Sequence, residues 1–320
     1  MEQENSTKQL SIDCKEPVTC VEFCPFETAS HLIAIGGSMR ILIGTCVFPE
    51  EDKDRDAFEF RQVNEFHHGC RVDAISWSPR TNLDCLPRCL RFCTAGSDFR
   101  LRLFTSDLKE DNTVQVLDGH SDYINEVGIE TLEGDLIASV SDDCTCRTWD
   151  PFGQQKALFP LKSQGMSVNW HPHDPMKLMV AEKGGTIRFY DMRLEEPIMT
   201  LDAGPGMLLS ANWCWDDTAC VGAVVNGDWM IWDTSNSSQA IEIQRAHSEK
   251  GRYIRWCHSS SSLFATLGQP NNQLKIFHLD HHQVPIKFNL PVQGGISWHA
   301  FLPVCAAGGN RKVHLFTAEL

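Results

Sequence analysis

The sequence has few basic residues and no long apolar run, and both shortages exclude classes of function. Lys and Arg number 28 against 42 Asp and Glu, which gives a formal net charge of −14, and no basic cluster stands out. An acidic protein does not attract phosphate backbones, so we expect no direct role on DNA or RNA. No stretch approaches the roughly 20 apolar residues that a membrane span needs, so we expect no membrane insertion.

The sequence also lacks the motifs of common cofactor and metal sites. It contains no Gly-rich phosphate loop with its Lys. The 14 Cys include the close pairs Cys20/Cys24, Cys85/Cys89 and Cys144/Cys146, but none of these belongs to a paired CxxC set or is followed by a His-x3–5-His partner at zinc-finger spacing, so we predict no metal and no cofactor. The opening MEQENSTKQL contains no apolar signal segment. We therefore expect a protein made in the reducing cytosol, where structural disulfides are rare.

What the sequence does contain is an internal repeat. The segments MSVNWHP, LLSANWCW, YIRWCHS and GISWHAF place Trp170, Trp213, Trp256 and Trp298 at spacings of 43, 43 and 42 residues. Upstream, VDAISWSP and VTCVEFCP place Trp77 and Phe23 in the same position, and YINEVGIE (123–130) is a seventh copy without the aromatic residue. A fixed period of this length indicates a repeat architecture.

Each repeat contains several strand patterns. A second series in phase with the first alternates apolar and polar residues and ends in an aromatic residue, as in GGTIRFYD and GDWMIWD. Period-two alternation is typical of a half-buried strand. A wholly apolar strand lies between the two series, and a variable fourth strand follows them. Four strands in about 40–45 residues are typical of a propeller blade.

The repeat predicts an all-β fold: a single seven-bladed WD40-type β-propeller over residues 1–320. The approximate blades are 17–66, 67–120, 121–165, 166–206, 207–247, 248–294 and 295–320. The last repeat has only three strands, so we predict that the apolar segment QLSID (9–13) completes it and closes the ring, which covers open sheet edges. A two-domain sandwich is the structural alternative, but it would not predict so regular a period.

One repeat carries a family signature in full. Gly119-His120, Ser139, Asp143 and Trp149-Asp150 resemble a WD repeat, and the resemblance implies a buried hydrogen-bonded chain that joins His120, Asp143, Ser139 and the Trp149 indole. The second repeat keeps a partial set, which consists of His68, Thr94, Asp98 and Phe104. Three repeats have Asn where Asp is usual, at Asn226, Asn271 and Asn310.

The His, Asp and Ser of this set could be mistaken for a catalytic triad. The same residue types recur at the blade spacing with a Trp partner, which favours a structural role. We therefore predict that the protein has no catalytic residues and is not an enzyme.

Longer stretches of the sequence resemble one particular family of WD-repeat proteins. FHHGCRVDAISWSP (66–79), LRFCTAGSDFRLRLFTSDL (90–108) and GMSVNWHPHDPMKLMVAEKGGTIRFYD (165–191) resemble the nucleoporin thirty-seven family, the small propellers of the Y-shaped scaffold subcomplex of the nuclear pore. The resemblance implies an architectural nucleoporin at the nuclear envelope that docks on the large propeller-and-helix subunit of the Y complex. It also implies a part in pore assembly, an indirect part in mRNA and protein transport, and a role at kinetochores in mitosis.

Partner contacts are expected on loops, because a propeller presents its loops on a stable scaffold. The acidic insertion PEEDKDRDAFE (49–59) offers Glu50, Glu51, Asp52 and Asp54. Trp215 lies just beyond its strand and is a further candidate contact. A solvated loop is the simpler interpretation of the insertion.

Two other functions are open to a WD propeller. Tyr190-Asp191-Met192-Arg193 resembles a degenerate copy of the WD-x-Arg box of substrate receptors for cullin-based ubiquitin ligases. Pairing of Arg193 with Glu195 or Glu196 at the surface is the plainer explanation of that segment. A reader of basic histone tails would suit the acidic charge, but the sequence identifies no aromatic cage.

Overall fold

The computed structural model describes residues 10–51, 57–109, 112–280, 286–288 and 294–318. In those ranges the chain forms 28 β-strands and one 3₁₀ turn, Glu27–Ala29. No helix within them is long and apolar enough to cross a membrane.

The strands follow one another in groups that match the repeat. The chain begins with β1 (Leu10–Asp13). The first blade consists of β2 (Cys20–Phe23), β3 (Leu32–Gly36), β4 (Arg40–Val47) and β5 (Glu59–His67). The second consists of β6 (Val72–Trp77), β7 (Leu90–Gly96), β8 (Leu101–Ser106) and β9 (Asn112–Leu117). The third consists of β10 (Ile124–Ile129), β11 (Ile137–Ser141), β12 (Thr145–Trp149) and β13 (Gln155–Pro160).

The remaining blades have the same plan. The fourth consists of β14 (Gly165–Trp170), β15 (Lys177–Glu182), β16 (Thr186–Asp191) and β17 (Glu196–Asp202). The fifth consists of β18 (Leu208–Trp213), β19 (Cys220–Val225), β20 (Asp228–Asp233) and β21 (Glu242–Arg245). The sixth consists of β22 (Gly251–Trp256), β23 (Leu263–Gly268), β24 (Gln273–His278) and β25 (Ile286–Phe288). The seventh contributes β26 (Ile296–Trp298), β27 (Val304–Gly308) and β28 (Lys312–Thr317).

The N-terminal strand closes the ring. The last sheet has the order β1-β28-β27-β26, with Ile12 opposite Val313 and Leu10 opposite Leu315. The described residues thus form seven four-stranded antiparallel sheets. The predicted seven-bladed propeller, completed by an N-terminal strand, is confirmed.

The hydrophobic core lies between the blades rather than within one layer. Each of the apolar clusters found among the described residues joins two neighbouring sheets, and together they cover all the blade junctions around the ring. The second strand of a blade lies between two such clusters, which is why every residue of β19 and β23 is buried. Strands buried on both faces appear in the sequence as continuous apolar runs rather than as alternating ones.

A repeated hydrogen-bond latch holds the inner strands together around the axis. It involves the residue that precedes the repeat's aromatic position, which is Glu22, Ser76, Gly128, Asn169, Asn212, Arg255 and Ser297 in turn. At four junctions its carbonyl oxygen accepts the indole N–H of the next blade's Trp, from Trp77, Trp170, Trp256 and Trp298, at 2.9–3.2 Å.

At four junctions the side chain of the preceding residue is the acceptor. Ser76, Asn169, Asn212 and Ser297 accept the backbone N–H of the next blade's residue at the aromatic position, at 2.8–3.1 Å. Only the junction between the fifth and sixth blades has both kinds of hydrogen bond. The two kinds together therefore connect the blades at every junction of the ring. Buried polar groups that find partners in this way fix one relative position of neighbouring blades.

Candidate functional site

The full WD signature forms a connected buried network in the third blade. The Trp149 indole N–H donates to Ser139 Oγ at 3.0 Å, and Ser139 Oγ lies 2.8 Å from His120 Nε2. His120 Nδ1 lies 2.8 Å from Asp143 Oδ2. An ionised Asp accepts a hydrogen bond from Nδ1–H, so Nε2 accepts a hydrogen bond from the Ser139 hydroxyl, and the donors run in one direction from Trp149 to Asp143.

The network keeps its groups in defined protonation states. Burial lowers the pKa of His120 below its usual value, although Asp143 opposes the shift. Burial acts to raise the pKa of Asp143, but hydrogen bonds from Thr145 and His120 outweigh it, and that pKa lies below its usual value. His120 is therefore neutral and Asp143 ionised at neutral pH. Ser139 Oγ is hydrogen-bonded to His120 on one side and to the buried Trp149 on the other. This arrangement is typical of a structural link between strands.

The partial set in the second blade is arranged differently. His68 Nε2 lies 3.0 Å from Thr94 Oγ1, but its Nδ1 contacts the backbone oxygen of Cys70 at 2.9 Å instead of Asp98. The Arg102 guanidinium donates two hydrogen bonds to the Asp98 carboxylate, at 2.9 and 2.5 Å. These hydrogen bonds lower the pKa of Asp98 to about 2. The Phe104 side chain, unlike the Trp149 indole, has no N–H to donate. The structure brings His68 and Thr94 together and places Asp98 in a separate ion pair.

The acidic insertion is anchored at its start. Glu50 is exposed, while the Glu51 carboxylate lies 3.6 Å from the Nε2 atom of the buried His299 in the seventh blade. Because His299 Nδ1 faces the backbone N–H groups of Phe301 and Leu302, at 3.3 and 3.1 Å, its proton is on Nε2, toward Glu51. Asp52 and Asp54 lie outside the described residues.

A cavity runs along the propeller axis and is called here the axial channel. Trp215 is half-buried at one of its mouths. Its ring centroid lies 6.4 Å from that of Phe26 and 5.3 Å from that of His258. Trp215 therefore joins the loops of three blades while one part of it faces solvent.

The degenerate WD-x-Arg segment has a surface partner other than those expected from sequence. Arg193 is largely exposed, and its Nη2 lies 3.8 Å from Asp174 Oδ1 rather than against Glu195 or Glu196. Asp191 Oδ1 accepts the backbone N–H of Arg193 at 2.8 Å and fixes the turn.

Sequence reasoning missed a charged group inside the channel. Glu126 of β10 and Arg255 of β22 form an ion pair between the third and sixth blades, across the propeller axis. Arg255 also donates to Ser210 Oγ at 3.2 Å, and Glu22 of β2 faces the same space. A signal existed, since Glu22 and Arg255 stand directly before the aromatic positions of their repeats. Among the residues that the structure describes, no group of three or more His, Cys, Asp or Glu side chains could hold a metal ion.

Comparison with known proteins agrees with this geometry. The family model described as "WD domain, G-beta repeat" matches residues 111–150, which contain the complete network. The chain is 46% identical to nucleoporin Nup37 of Mus musculus over 315 residues, 97% of each chain. It is equally similar to nucleoporin Nup37 of Homo sapiens, over the same shares, and 31% identical to nucleoporin Nup37 of Drosophila melanogaster over 97% of each chain. The chain therefore belongs to the Nup37 family of WD-repeat nucleoporins.

Proposed function

We propose that this chain is a non-catalytic architectural nucleoporin that acts as a rigid docking module in the Y-shaped scaffold subcomplex of the nuclear pore. The observation that carries the proposal is the similarity to nucleoporin Nup37 along 97% of the chain. The latched ring supports it, because a disc whose blades are all tied to their neighbours can present loops with little ordering entropy lost on binding.

The partner in this proposal is the large propeller-and-helix subunit of the Y complex. In that position the protein resides at the nuclear envelope and contributes to pore assembly, and only indirectly to mRNA and protein transport. A kinetochore role in mitosis would follow from the same assembly. The whole chain, residues 1–320, acts as one domain, and function lies in its surface rather than in a reaction centre.

Purification of the native complexes tests the assignment. The protein is tagged and isolated from interphase cells at moderate salt, and the co-purifying proteins are quantified by mass spectrometry. Near-stoichiometric recovery of the Y-complex nucleoporins is the expected result. Recovery of a cullin adaptor without nucleoporins would contradict the proposal and would make Arg193, which is exposed near Asp174, the first residue to change.

The acidic insertion is tested separately. Residues 49–59 are replaced with a short Gly-Ser linker, and residues 234–240, a largely exposed connection between β20 and β21, are replaced in a matched control. Because Glu51 also contacts His299, the single variant Glu50→Lys provides a change that leaves this anchor in place. Partner recovery should fall several-fold for the insertion variants and stay unchanged for the control. Undiminished recovery for both insertion variants would remove the loop from the interface.

A further inference from the structure

A cavity of about 190 Å³ runs along the propeller axis, and residues of all seven inner strands or their adjoining loops line it. At about 30 Å³ per water molecule, it has room for roughly six waters. Small-molecule pockets are typically about 300–1,000 Å³. The axial channel therefore suits a single side chain or a group of that size better than a whole cofactor.

Acidic side chains outnumber basic ones in the lining of the axial channel. Three carboxylates face it, from Glu22, Asp73 and Glu126, together with one guanidinium, from Arg255. Arg255 is committed to Glu126, to Ser210 and to the carbonyl oxygen of Ile254. Arg255 is thus the cationic partner of Glu126, and among the described residues that line the axial channel there is no second Lys or Arg for Glu22 or Asp73.

The two remaining carboxylates lie on adjacent blades. Asp73 Oδ1 accepts a hydrogen bond at 2.6 Å from Arg71, and the Arg71 side chain extends into solvent. Asp73 Oδ2 is buried and has no hydrogen-bond partner among the described residues. Burial raises the pKa of the Cys20 thiol, and the charges of Asp73 and Glu22 add to this shift. A buried acceptor without a protein donor is rare in native proteins, and an ordered water or ion is a usual partner for one.

The protonation of Glu22 is set mainly by burial. Burial raises the pKa of Glu22 to about 8, with Arg255 opposing and Glu126 reinforcing the shift, and with Ser297 as a hydrogen-bond partner. The thiols of Cys20 and Cys24 are the other titratable groups beside it. At neutral pH Glu22 is mostly protonated, and a cation placed against it would favour the ionised form.

The mouth of the axial channel supplies surfaces that attract cations. Trp215 and Phe26 stand there edge to face, and His258, whose Nδ1 is buried without a hydrogen-bond partner among the described residues, lies against Trp215. Burial lowers the pKa of His258 to about 4, so this ring adds no positive charge at neutral pH. Aromatic faces attract guanidinium groups, which also stack on them as planes.

We propose that the axial channel binds one guanidinium group on an aliphatic stem, which passes Trp215 and pairs with Glu22 and Asp73. A guanidinium fits better than an ammonium, because its planar donors can serve two carboxylates at once and it is more weakly hydrated. This proposal does not rest on the proposed function, and neither depends on the other.

Isothermal titration calorimetry on the full chain tests the site. The probe is N-acetyl-arginine methylamide, whose only ionisable group is the guanidinium, and the matched neutral probe is the corresponding citrulline amide. The arginine probe should bind and the citrulline probe should not. Because Glu22 must ionise on binding, affinity should rise about eight- to tenfold between pH 7 and pH 9.

Variants localise the binding. Glu22→Gln should weaken binding at pH 9 at least tenfold and abolish its pH dependence, and Asp73→Asn provides a second test if the first variant unfolds. Glu133→Gln, which removes the same charge from an exposed loop, is the control and should bind normally. No binding of the arginine probe, equal binding of both probes, or unchanged binding in both channel variants would each overturn the proposal. A pentapeptide Gly-Gly-Arg-Gly-Gly that binds tenfold more tightly than the single residue would identify a partner chain as the source, and equal affinity would identify a free small molecule.

Discussion

Trp149 and Trp232 occupy equivalent places in the third and fifth blades, and their indole groups differ in hydrogen bonding. Trp149 donates to Ser139, whereas Trp232 Nε1 is buried without a partner among the described residues. The register explains the difference, because Ala223 takes in β19 the place that Ser139 takes in β11. The fifth blade therefore relies on apolar packing where the third relies on a polar network.

The difference between the two blades predicts how the Ser139 hydroxyl affects the stability of the fold. Ser139→Ala removes the acceptor of Trp149 and the donor of His120, and each buried group left without a partner costs about 1–3 kcal/mol. We expect a clearly lower urea midpoint, followed by far-UV circular dichroism. The reverse change, Ala223→Ser, gives Trp232 an acceptor and should leave the midpoint unchanged or raise it. A Ser139→Ala midpoint equal to that of the unaltered protein would refute a stabilising role for the network.

At the scale of the element, ring closure depends on a strand of four residues. β1 pairs with β28, and Ile12 is 3% exposed within the cluster that joins the seventh and first blades. The same strand places Ser11 in solvent, because successive side chains point to opposite faces. The seventh blade therefore obtains its outer edge from the other end of the chain.

Truncation of the closing strand's buried side chain should be costly. Ile12→Ala removes apolar packing and leaves space behind, which typically costs about 2–5 kcal/mol. Ser11→Ala changes an exposed position of the same strand and should stay within about 0.5 kcal/mol of the unaltered protein. Thermal unfolding by scanning calorimetry measures both. Equal melting temperatures for the two variants would mean that β1 contributes little to closure.

At the scale of the whole molecule, buried titratable groups set the pH range of stability. Burial lowers the pKa of His247, of His258 and of His299 to about 4. A His side chain in the unfolded protein has a pKa of about 6.5, so below that pH the unfolded chain binds protons that the folded chain does not. The stability contributed by these three groups is therefore lost as pH falls from about 6.5 to about 4.

Carboxyl and thiol groups act in the opposite direction. Glu22, with its pKa raised to about 8, loses its contribution as pH rises from about 4.5 to about 8, which offsets part of the His effect below pH 6.5. Burial also raises the pKa of Cys24 and of Cys93 to about 12, so stability falls again above about pH 8.5, where unfolded thiols ionise. Urea titrations at intervals between pH 4 and pH 10 should show the highest midpoint near pH 6.5–7. A midpoint that rises steadily to pH 10 would contradict this balance.

The number of blades, their strand patterns and the closing strand could be predicted from the sequence, because they depend on local periodicity and on a repeat that comparison of its copies reveals. It also indicated the set His120, Ser139, Asp143 and Trp149, whose members lie within one repeat. The separation of Asp98 from His68 was not apparent, since Cys70 and Arg102 compete for the same two groups at distances that only the fold defines.

Which side chains face the axis is defined by the tertiary structure. Glu126 and Arg255 are 129 residues apart and three blades apart, and they meet because seven blades of this size curve into a ring narrow enough for one ion pair to cross it. The same curvature brings Glu22 and Asp73 to the axial channel and Trp215 to its mouth. Strand periodicity assigns each of these residues to a face, but the distance across the ring depends on closure, which no segment of the sequence specifies alone.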